Sequence, residues 1–86
     1  MKNELSTRFI LQVFEKIREH GENKDDKHVL EDITAYTDYD GYTVYMEGHQ
    51  VKLNTGFHNT YHLDYDSERA FQNFLKKLQY IDKNYG

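Results

Sequence analysis

Leu5, Phe9, Ile10, Val13, Phe14 and Ile17 recur at three- and four-residue steps, which lays one apolar stripe along the opening of the chain. The spacing predicts a helix over 4–20, capped by Asn3 or Ser6 and closed by Gly21 at the C′ position, where glycine serves best. Lys16, Arg18 and His20 suit the negative end of its dipole. Phe71, Phe74, Leu75, Leu78 and Ile81 repeat the pattern behind Asp66-Ser67-Glu68, a capping oxygen followed by an acid, and predict a second helix over 67–84. Leu11 and Tyr80 fall outside the two stripes. Tyr85 lies close enough to the second to fold back on it.

Between the helices the period changes to two. Asp40-Gly41 stands between alternating aromatic and β-branched residues and predicts a hairpin with a two-residue type I′ turn, pairing Tyr39 with Tyr42, Thr37 with Val44 and Ala35 with Met46. Gly48-His49 predicts a type II′ turn, which would pair Met46 with Val51 and Val44 with Leu53. A three-residue loop at His58-Asn59-Thr60 would add a fourth strand, with Phe57 opposite Tyr61 and Thr55 opposite Leu63. One face then holds Ile33, Ala35, Val44, Met46, Val51 and Leu53, with Tyr39, Tyr42, Tyr61 and Tyr65 on the same side. The other holds Thr34, Tyr36, Asp38, Thr43, Tyr45, Glu47, Gln50, Lys52 and Asn54. A slip of one residue would exchange the two sets, so their clean separation supports the assignment.

Glu22 to His28 is charged and aperiodic and reads as a loop. The expected fold is a single α+β domain over 1–86: helix 4–20, loop 21–28, sheet 29–65, helix 67–84. The sheet is an antiparallel meander of three to four strands, and both helices cover its apolar face.

Composition narrows the function more than it defines it. Cysteine is absent from the 86 residues, which removes disulfides, thiolate metal sites and cysteine nucleophiles. The first twenty residues carry Glu4, Arg8, Glu15 and Arg18 and do not resemble a signal peptide, and no run is long enough to span a bilayer, so a cytoplasmic location is expected. The net charge of −4 opposes general attraction to phosphate backbones and argues against nucleic acid as partner.

Candidate chemistry is thin. With Gly41 as the sixth position of a calcium loop, Asp38, Asp40 and Glu47 fall at the third, fifth and twelfth, but Tyr36 occupies the first, where a carboxylate is needed. His58 and His62 have the four-residue step of helical zinc ligands, on a segment with no helical pattern. A weaker alternative gathers Asp38, Asp40 and His58 at the Asp-Gly end of the meander as a metal site. Ser6 and Ser67 sit where caps are wanted, without a nucleophile elbow around either. The eight tyrosines are the most unusual feature. Tyr36 and Tyr45 should pair across strands on the open face, beside Lys52, and tyrosine is enriched at interfaces.

The runs Asp38-Tyr39-Asp40-Gly41-Tyr42-Thr43, Gly56-Phe57-His58-Asn59-Thr60-Tyr61-His62-Leu63-Asp64-Tyr65 and Phe14-Glu15-Lys16-Ile17-Arg18-Glu19-His20-Gly21 resemble a family of short uncharacterised bacterial proteins. The resemblance implies a bacterial, cytosolic protein and carries no functional residue with it. The expected function is therefore a non-enzymatic module without cofactor. Its open sheet face, at Tyr36, Tyr45 and Lys52, would contact another protein or a second copy.

Overall fold

Ser6 and Ser67 start the two helices. The side-chain oxygen of each accepts an N–H from the turn that follows, from Phe9 and from Ala70, both at 3.1 Å. In the computed structural model, which describes residues 5–39, 41–56 and 60–85, they precede α1 (Thr7–His20) and α2 (Glu68–Asn84). Asn3, the other cap considered, lies outside the described residues. Between the helices run β1 (Glu22–Lys24), β2 (Lys27–Leu30), β3 (Ile33–Thr37), β4 (Val44–Gly48), β5 (Val51–Thr55) and β6 (Tyr61–Tyr65). They form one antiparallel sheet in chain order.

The sheet thus has six strands rather than three or four, because the segment expected to be a loop is a hairpin. β1 pairs with β2 and β2 with β3 through two-residue reversals at Asp25-Asp26 and Glu31-Asp32. All four of these residues have positive φ, from 49° to 67°. That is the backbone of a type I′ turn built without glycine, which aspartate tolerates better than most side chains. The charge that makes 22–28 look like a linker is the ordinary surface of a short edge hairpin.

Two registers are displaced from the expected ones by two residues. Gly48 pairs with Val51, Met46 with Leu53 and Val44 with Thr55, so the turn is His49-Gln50 and Gln50 carries the positive φ, 59°. Gly48 is kept for a different reason: a Cβ there would stand 2.7 Å from Cδ1 of Phe74, so its absence lets α2 lie close to the sheet. Likewise Thr55 pairs with Tyr61 and Leu53 with Leu63. Phe57, His58 and Asn59 lie outside the described residues. Since both displacements are even, the paired side chains of β4, β5 and β6 stay on their expected faces.

The β3–β4 hairpin keeps its expected register, with Thr37 opposite Val44 and Ala35 opposite Met46, but its reversal is longer than two residues. Asp38 N–H donates to the Thr43 carbonyl at 3.1 Å, and Gly41 N–H donates to the Asp38 carbonyl at 3.0 Å. Asp38 Oδ1 also accepts from the N–H groups of Gly41, Tyr42 and Thr43, at 2.8, 3.1 and 3.4 Å. Tyr39 and Tyr42 therefore leave the ladder and face solvent instead of the core. Tyr61 does pack against the core, while Tyr65 is exposed at the edge and stacks on Phe71, centroids 5.0 Å apart.

Both helices lie on one face. α1 crosses β2, β3 and β4, α2 crosses β5 and β6, and the helices touch each other. Ile10, Val13 and Ile17 from α1 meet Leu78 and Ile81 from α2 over Ile33, Met46, Val51 and Leu53, all essentially without exposure. Lys16 Nζ fastens α1 to the end of α2 through the Asp82 carbonyl and carboxylate, at 2.6 and 3.1 Å. Tyr85 folds back as expected: its hydroxyl donates to Glu31 at 2.7 Å and its ring meets His20, centroids 5.4 Å apart. That hydrogen bond to a carboxylate holds the Tyr85 phenol above its ordinary ionisation range. Leu11 is exposed, as its place off the stripe requires.

Candidate functional site

With one face roofed, side chains on the other stand in two rows across the six strands. Glu22, Val29, Thr34, Glu47, Lys52 and Asp64 follow one another in register from β1 to β6. Beside them Tyr36, Tyr45, Asn54 and His62 run from β3 to β6. Those on β3, β4 and β5 are there because strand alternation sends them away from a buried neighbour next to them in sequence.

Tyr36 and Tyr45 form the pair expected of them. Their rings are nearly parallel, at 10°, with centroids 4.9 Å apart, close to the spacing between strands. Tyr36 is fixed from both sides. Lys27 Nζ, from the strand missed in the sequence reading, lies 4.5 Å from the centre of its ring. Its hydroxyl donates to Glu47 Oε2 at 2.6 Å. Tyr45 stacks on Tyr36, and in the register it is followed by Asn54 on β5 and His62 on β6. An open hollow of about 380 Å³ lies there, bounded also by Glu47, Lys52 and Asp64.

The Glu47 carboxylate pushes the Tyr36 phenol up to about 12, first through the hydrogen bond and then through partial burial and direct repulsion of the phenolate. Spectrophotometric titration should show this tyrosine ionising at about 12, and Glu47→Gln should return it toward the ordinary value of about 10. A phenol whose ionisation is raised on folding supports the fold fully below that ordinary value. The support fades as the pH climbs from there through about 12. A titration in which Glu47→Gln changes nothing would remove Glu47 as the cause.

Of the other residues singled out, Lys52 lies on the open face beside the pair, as expected. Asp38 does not: its carboxylate is occupied closing the β3–β4 loop. Asp40 and His58, the remaining members of the alternative metal set, lie outside the described residues. Among the described residues no three His, Asp or Glu side chains gather closely enough to hold a metal ion. His49 is at the far end of β4 from the tyrosine pair, in the hairpin turn. There it borders a hollow of about 430 Å³ between Gly48, Phe74 and Lys77.

Glu47 and His62 enter the sequence reading only as weak metal-ligand candidates, and Asn54 and Asp64 carry no role there; none of the four is expected in the contact surface. What assembles them is the pairing of β5 with β6, displaced by two from the expected register and thus hard to read from a loop of unknown length. Lys27 was missed because its strand was.

A family model described as "Protein of unknown function (DUF3081)" matches residues 5–86, nearly the whole chain. The chain belongs to that family. No curated protein and no solved structure matches it. DUF3081 thus supplies a kinship without an activity, and the chemistry of this member is argued from its own residues. No helix among the described residues is long and apolar enough to cross a membrane.

Proposed function

We propose that this DUF3081 chain is a binding module, not an enzyme, and that its open sheet face contacts protein. One observation carries the reading: the parallel Tyr36–Tyr45 pair, held by Lys27 and Glu47, stands beside an open hollow on the face that neither helix covers. Pre-ordered aromatic rings with few torsions lose little entropy when a partner settles on them, which is why tyrosine so often anchors interfaces. Lys52 at the border of the hollow supplies a charge that can fix orientation.

The test compares the wild-type chain with a Tyr45→Ser, Lys52→Glu double variant. Both positions are on the open face, so the fold should persist, which circular dichroism checks. Wild type immobilised in a lysate, or cross-linked in solution, should retain at least one protein, its own copy or another, that the double variant loses by about tenfold or more. Equal recovery by both would refute the reading.

A further inference from the structure

The two edges of the sheet are built differently. β1, on one side, is three residues long, exposed throughout, and carries Glu22 and Lys24. Short charged strands of this kind deter pairing with another chain. β6, on the other side, runs five residues, Tyr61-His62-Leu63-Asp64-Tyr65, with neither proline nor lysine and with no break in its register on β5.

The main chain of β6 is phased for a second partner. Asp66 N–H donates to the Gln50 carbonyl at 3.1 Å and Gly56 N–H to the Thr60 carbonyl at 3.4 Å, so in this ladder the hydrogen-bonded pairs are those of the even-numbered residues. His62 and Asp64 therefore turn their N–H and C=O groups inward to β5. Leu63 and Tyr65 turn theirs outward, where no described strand meets them.

The side chains of β6 complement a second β6 run in the opposite direction. Antiparallel pairing centred on Leu63 sets Leu63 opposite Leu63, Tyr61 opposite Tyr65, and His62 of each copy opposite Asp64 of the other. The outward groups of Leu63 then meet their own symmetry mates, as the phase requires. Moving the centre to His62 or to Asp64 keeps the phase but sets histidine against histidine or aspartate against aspartate. Charge thus selects the first register.

We infer that β6 is a dimerisation edge: two copies of this chain join antiparallel along β6 about a two-fold axis at Leu63, continuing the six-stranded sheet of one copy into the other. The register keeps the helices of both copies on one side, where Leu63, partly buried, and Tyr65, 43% exposed, lose solvent. On the other side the two open faces become one surface. Five residues a side make a small junction, so a reversible dimer is expected. The dimer uses the edge, not the open face, and is independent of the binding reading above.

Sedimentation of the full chain across micromolar to millimolar concentration should show a monomer–dimer equilibrium. Amide exchange at Leu63 and Tyr65 should slow as dimer accumulates, while His62 and Asp64 stay slow throughout. His62→Asp sets aspartate against aspartate, and Asp64→Lys sets lysine against histidine; each should weaken dimerisation by about fivefold or more. Mixed together they should form a heterodimer tighter than either variant alone, because the two new charges attract each other and the remaining His62 meets the remaining Asp64. Should Asp64→Lys not fold beside Lys52, Leu63→Cys tests the same register. At the axis it faces its own copy about 5.5 Å away, within disulfide reach, and should link on oxidation far faster than the exposed Lys52→Cys. A chain monomeric throughout, a mixture no tighter than its components, or Leu63→Cys linking no faster than Lys52→Cys would overturn the inference. So would a dimer abolished by Tyr45→Ser, which would place the contact on the open face and leave the binding reading standing.

Discussion

Replacing Leu53 by alanine is expected to cost about 3 to 4 kcal/mol, while alanine at Lys52 should stay within about 0.5. Leu53 is 1% exposed, between Met46 and Leu63 in the middle of the sheet and beneath the helices. Its removal loses the transfer energy of the side chain and leaves a cavity that a close-packed layer cannot collapse. Lys52, adjacent in sequence, points to the opposite face and is exposed. The contrast is large against the whole: at typical values per residue, a domain of this length has roughly 4 to 13 kcal/mol of stability. Urea unfolding of both variants measures it. Equal losses at the two positions would mean that the faces are assigned wrongly.

Gly21→Ala is expected to be at least as damaging, by about 3 kcal/mol or more, although no large group is lost. A Cβ at residue 21 would stand 2.5 Å from the Ile17 carbonyl oxygen and 2.8 Å from that of Val29. Both obstacles are backbone: one belongs to the last turn of α1, the other to β2. Neither can move without separating the helix from the first hairpin, where α1 rests on β2. The residue is not in the left-handed region that the sequence pattern suggests for it; φ is −81° and ψ 168°. Glycine is required here by close approach rather than by conformation. Thermal melts of Gly21→Ala and Gly21→Asn separate the two causes, because asparagine tolerates a left-handed cap but brings the same Cβ. Both should melt far below wild type, and a tolerated asparagine would restore the capping explanation.

Those two residues also mark what the sequence could and could not reveal. The stripes through Ile10, Val13 and Ile17 and through Phe74, Leu78 and Ile81 specify the helices because burial and period coincide there, and Ser6 and Ser67 mark their starts. The sheet faces were legible for a similar reason: alternation survives any even error in register. The turns were not, since a glycine has more than one use. Gly48 looks like a turn residue and is a strand residue under Phe74; Gly21 looks like a left-handed cap and is extended. Conversely, Asp25-Asp26 and Glu31-Asp32 make tight turns with no glycine to announce them, so the first hairpin was hidden within a run of charge. The Tyr36–Tyr45 pair was readable from one register. The hollow beside it needs β6 in its true position, and only the folded chain supplies that.

Everything proposed for the open face depends on its being open, and the absence of natural cysteine makes that directly measurable. Single cysteines at Val51 and Lys52, adjacent in β5 and on opposite faces, can be followed by the rate of thiol labelling in dilute native protein. Lys52→Cys should react nearly as fast as an unfolded peptide, with Val51→Cys slower by orders of magnitude. Rapid labelling at Val51 with protection at Lys52 would contradict the account.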